Sequence, residues 1–342
     1  MPRTQSNLKL LVPGLFGPIP QLEVGETDLS VPVLERLLRR ADRRSVAGRD
    51  FVTTLYALFG YPANDQVDLP EGAVNYLAEG GTPGDCCYMR ADPVHLRPDR
   101  DRLLLFDCEQ LTITPAEAEV IAAEFNQHFT QEHMQLLTPH PDRWYLQLEQ
   151  CPQLRTHSLS NVVGHHIESF MPSGPDARHW RRLNNEMQML LFQSPVNQQR
   201  EAAGRLTING IWLSGVGTLP EISPGIDFMI FADEPAACGL ARLAGLSIAP
   251  PAIPPAHAWA AGKQVLILWT ELLAPVLHAD LYHWAEALQK LEQRMTGLVD
   301  GLAQYRPSCL ELYPCNGECY RLTAANLWRF WRRPRKMSHY LV

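Results

Sequence analysis

The stretch Asn184–Gly217, NNEMQMLLFQSPVNQQREAAGRLTINGIWLSGVG, writes a helix, a polar turn, a second short helix and a buried strand as one continuous unit. Trp180, Leu183, Met187, Leu190 and Leu191 recur at helical spacing, so the first helix has one apolar face. Pro195 ends it, because the ring removes an amide donor and drives the preceding residue out of the helical region. Ile208, Ile211, Trp212 and Leu213 then lead into Ser214-Gly215-Val216-Gly217, a strand whose carboxyl end meets a glycine-rich turn. In open α/β sheets that end is where ligands bind. The polar Pro195-Val196-Asn197 and Arg200 just ahead of the strand therefore point to a binding surface.

Outward from this unit, strand–helix alternation returns on both sides. Leu8–Val12 reads as a first strand before a turn of Pro13, Gly14, Gly17 and Pro18. Val33, Leu34, Leu37 and Leu38 predict a helix with Ser30 as cap and Pro32 in its first turn, and Phe51–Phe59 predicts a second. Later strands are expected at Asp227–Ala232, Val265–Trp269 and Leu310–Tyr313, with Trp284, Leu288, Leu291, Met295, Leu298 and Val299 forming an amphipathic helix. Between them the texture changes. Residues 71–84 read as loop-rich, and strands follow at Cys86–Arg90, Leu103–Cys108 and Trp144–Leu148. Thr114-Pro115-Ala116-Glu117 is a capping box that opens a helix. These features predict an α/β core over 1–84 and 177–342, with a mostly parallel sheet flanked by helices, and an inserted α+β cap domain over 85–176.

The 342 residues suffice for such a two-part architecture. A net charge of −7 argues against a general nucleic-acid binder, since phosphate contacts call for a basic surface. No apolar run reaches the length a membrane helix needs. Eight cysteines, two of them adjacent at Cys86 and Cys87, do not read as a secreted disulfide framework, so a cytoplasmic location is expected.

In order along the chain, the motifs resemble those of the archaeal-type, cofactor-independent phosphoglycerate mutases of the alkaline phosphatase superfamily. SVPVLERLLRRA (30–41) is similar to the family's helix after strand one, and AGRDFVTTLYALFGYPAN (47–64) to its serine-nucleophile segment. GDCCYMRAD (84–92), with ITPAEAEVIAAEFN (113–126), resembles the entry into the cap. SPVNQQREAAGRLTINGIWLSGVG (194–217) resembles the HPVNxxRxxxG strand that ends in RGAG. ACGLARLAGL (237–246) and LHADLYHWAEALQKLE (277–292) are similar to two later helices. The resemblance implies an alkaline-phosphatase-like fold, two divalent metals such as Mn or Zn, and a serine that takes up the phosphoryl group.

Function does not follow from fold, so each expected position has to be read separately. Where the family carries Asp-Gly after strand one, this chain has Val12-Pro13-Gly14; where it carries the nucleophile, Arg49 stands, followed by Asp50. His278 survives without its aspartate, the late Asp-His-Gly appears as Cys315-Asn316-Gly317, no histidine occurs at 323–326, and Ser214 replaces the arginine of RGAG. Metals neutralise the phosphate and activate the nucleophile, so losing their ligands removes the chemistry. The resemblance then implies a pseudoenzyme, without metal, that binds a phosphorylated small molecule or a protein partner as a regulatory protein. The alternative is an active mutase or phosphatase with an altered metal site, for which Asp50, His278 and Asp280 are the catalytic candidates.

The ligand-binding candidates are Arg49, Asn197, Arg200, Asn209, Gly215 and Gly217. For Asn197 and Arg200 two readings compete: an anion contact through the planar guanidinium fork, or a helix cap and a structural ion pair. Cys315 and Cys319, with Cys309, offer one cysteine pair where zinc sites usually show two, which favours reduced thiols. His165-His166, His128 and His133 lack a carboxylate-rich partner sequence. The basic, aromatic segment Trp328–Lys336 is a candidate for an anionic partner, against packing of Trp328 and Trp331 on the core.

Overall fold

Strand β1 (Asn7–Leu11) buries Leu8 and Leu10 on one face and places Lys9 on the other. In the computed structural model, which describes residues 7–17, 29–62, 68–99, 102–107, 110–223, 225–254, 264–305, 309–333 and 335–340, it forms the centre of a sheet. Parallel β10 (Gln264–Leu268) flanks it on one side, with Leu8 opposite Val265, and parallel β11 (Cys309–Tyr313) on the other, with Leu10 opposite Leu312. Beyond β10 lie β8 (Phe228–Phe231) and the short β9 (Ile248–Ala249), both parallel; beyond β11 the antiparallel β12 (Glu318–Thr323) and β2 (Asp42–Ser45) complete the order β2-β12-β11-β1-β10-β8-β9.

Helices cover both faces of this sheet. Leu8, Leu10, Val265, Ile267, Leu310 and Leu312 meet α1 (Pro32–Arg40) and the long helix α9 (Leu281–Tyr305) through Leu34, Leu37, Leu38, Trp284, Leu288, Leu291 and Met295. The helix α2 (Phe51–Leu58) packs on α7 (Pro235–Leu243), and Phe59 just after α2 meets Phe228 of β8 edge to face. The cap expected from Ser30 is not what closes α1. Its N-cap is Val31, without a side-chain bond, and the carboxylate of Glu292 on α9 instead accepts from the Val33 and Leu34 amides at 2.6 and 3.0 Å. A helix N-terminus with a carboxylate on it is stabilised by its dipole and by satisfied amides. Asp50 caps α2 through a capping box with Thr53.

The second compact unit spans 64–221, the first being 1–63 with 222–342. Both boundaries lie outside the expected 85 and 176. The reason is pairing: β7 (Gly210–Gly217), expected in the parallel core sheet, runs antiparallel to β3 (Cys87–Asp99), bringing α5 (Ala177–Gln193) and α6 (Pro195–Ala202) with it. The other edge of β3 carries β4 (Arg102–Phe106) along its second half and β6 (Arg143–Leu148) along its first, and β6 pairs with β5 (Met134–His140). The helix α4 (Pro115–His128) opens on the expected Thr114–Glu117 capping box and lies on β5.

Residues 71–84, expected to be loop-rich, contain the helix α3 (Glu71–Ala78). Gly72 hides it from a propensity reading, yet a Cβ there would stand 2.6 Å from the Met89 backbone, so glycine lets the helix touch β3. Cys87 on β3 is disulfide-bonded to Cys151, a pairing the sequence reading did not anticipate, while Cys315 and Cys319 are free thiols. Among the described residues no helix is long and apolar enough to cross a membrane.

Candidate functional site: a basic pocket at the carboxyl edge of the first sheet

Parallel strands deliver their carboxyl ends to one edge of a sheet, and the loops there carry ligands. After β1 the chain turns through Pro13 and Gly14. Gly14 has φ of +79°, and a Cβ on it would lie 2.7 Å from the Leu272 carbonyl oxygen and 3.0 Å from Val276 of α8 (Leu273–Leu277). The Gly14 carbonyl accepts from the Trp284 indole at 2.9 Å. The tip of the first strand is thus closed by an apolar helix and an indole.

After β11, Cys315 takes a left-handed conformation with φ of +66°, and Gly317 follows at +87°. Non-glycine residues held there are uncommon and mark an over-determined turn. Gly317 accepts from the Val46 amide at 3.0 Å, and a Cβ on it would meet the stem of Arg49 at 3.4 Å. The segments read as nucleophile loop and late ligand pair therefore do meet. Their chemistry differs from that of a metal site. Burial pushes the Cys315 thiol up, Thr54's hydrogen bond works against this, and the Asp50 charge adds to it, so the sulfur stays protonated. The Asp50 carboxylate accepts from Thr53 through both amide (2.8 Å) and hydroxyl (2.9 Å) as a helix cap. His278 is the C-cap of α8, and Asp280 turns to His283, accepting from its amide at 3.0 Å with its ring nitrogen at 2.6 Å. A protonated thiol, an amide and a guanidinium do not fit hard divalent cations. Among the described residues no group of three or more His, Cys, Asp or Glu could hold a metal, which includes Cys309, Cys315 and Cys319.

Of the remaining ligand-binding candidates, the structure turns each inward in the second unit. Asn197, 4% exposed, donates to the carbonyls of Leu191 and Ile208 and accepts from the Ile208 amide. Arg200, 1% exposed, binds Glu117 at 2.9 Å and the carbonyls of Leu206 and Leu111. Asn209 forms a two-way bond with the Leu96 backbone. Gly215 and Gly217 have no room for a Cβ beside Glu71 and Pro70. Ser214 is buried opposite Arg90 of β3, and its hydroxyl has no hydrogen-bond partner among the described residues. Gly215 and Gly217 thus serve packing, and the polar groups of Asn197, Arg200 and Asn209 serve the fold.

What the sequence reading missed is an open cavity of about 840 Å³ in the first unit. Gly14, Phe16, Pro314 and Asn316 line it from the strand ends, Arg39 from the last turn of α1, and Arg43 from β2. Arg332, Arg333, Arg335 and His339 of the C-terminal segment complete it. That segment is fixed to α1. Arg332 donates to the carbonyls of Arg39 and Ala41 at 3.0 and 2.8 Å, Arg329 pairs with Asp42, and the Met337 amide donates to Glu35 at 2.8 Å. Phe16 stacks on Tyr340 at 6.1 Å and meets Tyr320 edge to face at 5.8 Å. Trp328 and Trp331 nevertheless stay exposed, contrary to the reading that packs them on the core, and so does Phe330 between them. The signal was present as two basic runs, 36–44 and 329–336, nearly three hundred residues apart.

No family model matches the chain, and no curated protein matches it in sequence. Among solved structures it shares its fold with the PH0037 protein from Pyrococcus horikoshii, at a TM-score of 0.55 and 15% identity, covering 93% of this chain and 87% of that one. A cofactor-independent phosphoglycerate mutase from Thermoplasma acidophilum also aligns, at 14% identity over 93% of this chain and 90% of that one, with a TM-score of 0.42. The fold is accordingly a mixed α/β one held in common with the Pyrococcus protein.

Proposed function

We propose that the chain is a phosphoglycerate-mutase-like protein that has lost its metal site and catalysis, and that it acts by binding a phosphorylated small molecule as a regulatory protein. One observation carries the reading. The loops that meet at the carboxyl edge of the first sheet bring together Arg49, a protonated Cys315, Asn316 and a helix-capping Asp50, where phosphoryl transfer between metals needs carboxylates, histidines and a nucleophile. The order of the mutase-like motifs along the chain, from residue 30 to residue 292, supports the ancestry. Arginine at the nucleophile position favours anion binding over attack on phosphorus, since a guanidinium offers five donors and no lone pair to give.

The test is direct. Protein purified without chelators is assayed for interconversion of 3- and 2-phosphoglycerate with added Mn or Zn, and its metal content is measured. The expected result is no turnover and no stoichiometric metal. Turnover with two bound metals per chain would overturn the reading.

A further inference from the structure

We propose that the pocket between the last turn of α1, the ends of β1 and β11 and the C-terminal segment is a binding site for a compact organic anion carrying two or more phosphate groups. The charge around this cavity is unbalanced. Among the described residues the negative groups around the cavity are already engaged: Glu318 takes Arg43 and the Tyr320 hydroxyl, Asp42 takes Arg329 and Asn326, and Glu35 takes the Met337 amide. The carbonyls at the end of α1, the negative pole of that helix, are covered by Arg332. Arg39, Arg333 and Arg335 have no acidic partner among the described residues, and the Arg39 Nε is buried without a hydrogen bond. Guanidiniums left unpaired in a concave site of about 840 Å³, in a chain of net charge −7, call for an anion from outside.

Size and lining refine the class. Pockets of ~300–1,000 Å³ hold whole small molecules, so this one exceeds what a single phosphate fills. Three planar forks, one on α1 and two on the C-terminal segment, suit several phosphate oxygens presented in different directions. The half-buried rings of Phe16 and Tyr340 give an apolar wall for an organic body. Such phosphates come from a free ester or from a lipid headgroup, and the exposed Trp328, Phe330 and Trp331 beside the pocket make the second source worth a separate arm. The inference rests on the proposed function only in treating this unit as a binding module. Mutase turnover would overturn that reading and leave this pocket's affinity standing.

The experiment titrates the full chain with inorganic pyrophosphate and with ADP by calorimetry, and separately with phosphatidylcholine vesicles with and without phosphatidylinositol 4,5-bisphosphate. Saturable binding of pyrophosphate or ADP is expected, weakened at least about tenfold in Arg39→Gln/Arg333→Gln/Arg335→Gln and unchanged in Arg36→Gln/Arg44→Gln/Arg178→Gln, which removes equal charge elsewhere. Binding to anionic vesicles alone, lost in the same first triple, assigns the headgroup as the source. The exposed single variants Arg333→Glu and Arg335→Glu keep the test open if the triple does not fold. The proposal is overturned if none of these probes binds at millimolar concentration, if both triples lose affinity equally, or if single-stranded RNA binds and pyrophosphate does not compete.

Discussion

The arginines of the two units have opposite fates. In the second unit Arg90 lies one-fifth exposed with its fork on Asp92 at 2.7 and 3.0 Å and with Glu71 at 3.8 Å, both carboxylates being almost wholly buried. Arg200 is buried outright against Glu117 and two carbonyls. In the first unit Arg39, Arg333 and Arg335 line a cavity, and among the described residues none of them has a carboxylate of its own. A guanidinium that has found its anion inside the chain is part of the fold, and one that has not is available to a ligand. Sequence spacing cannot tell these apart, because the anion is contributed by a distant strand or helix.

The contrast is broken most severely at Arg90. Arg90→Ala leaves Asp92 and Glu71 buried without their cation and should destabilise the second unit by about 3–5 kcal/mol, read from urea unfolding. The double variant Arg90→Met/Asp92→Leu should recover part of that loss, because replacing a buried pair costs less than orphaning one partner. A loss below about 1 kcal/mol for the single variant would show that the carboxylates find other partners. Next comes Arg200→Ala, which strips three hydrogen bonds from α6 and the loops at Leu111 and Leu206. It should cost about 2–4 kcal/mol and leave pyrophosphate binding untouched. A selective loss of anion binding without loss of stability would restore Arg200 as a ligand contact.

Much of the fold was legible because local chemistry wrote it. Thr114 and Glu117 announce α4, Pro32 lies in the first turn of α1, and the runs at 8–12, 265–269 and 310–313 are apolar as buried parallel strands are, apart from Lys9 and Glu311, which pair with each other at 2.9 Å. What stayed hidden was long-range or polar. β7 has the same apolar character whether it joins the core sheet or β3, and only pairing decides. β2, reading Asp-Arg-Arg-Ser, has no apolar alternation because it is an exposed edge. The binding candidates in 194–217 were legible as a motif but not as a role, since Asn197 and Arg200 are held by backbone carbonyls that no sequence pattern displays.

Asp42 ties the C-terminal segment to the pocket and gives a smaller, pH-dependent effect. Arg329's hydrogen bond, then Asn326's, hold its carboxyl down at about 2 from an ordinary 3.8. A depressed carboxylate contributes stability that is full above its unfolded value and is lost as pH falls through the folded one. The segment should therefore stay docked at pH 5 and loosen between about pH 4 and pH 2, an effect under about 1 kcal/mol because the side chain is 42% exposed and screened. Hydrogen exchange at residues 324–333, corrected for intrinsic rate, reads it. In Asp42→Asn the pH step should vanish, and a step that persists would place the titrating group elsewhere.

The smallest effect is the one that separates the two kinds of arginine most cleanly. Arg333 and Arg335 are exposed, line the cavity and have no acidic partner among the described residues, so neither holds the fold through charge. Arg333→Ala and Arg335→Ala should each leave unfolding free energy within about 0.5 kcal/mol of the parent, since exposed substitutions away from a packed or paired group rarely do more. For Arg335→Ala the sign should be stabilising at low salt, because the change relieves repulsion among the cations around Tyr340, which the charges of Arg335, Arg39 and Arg332 all reach. Raising the salt concentration should erase that gain and bring variant and parent together. A destabilisation above about 1 kcal/mol would mean that these guanidiniums are structural after all, and that the difference between the two units is one of exposure and not of role.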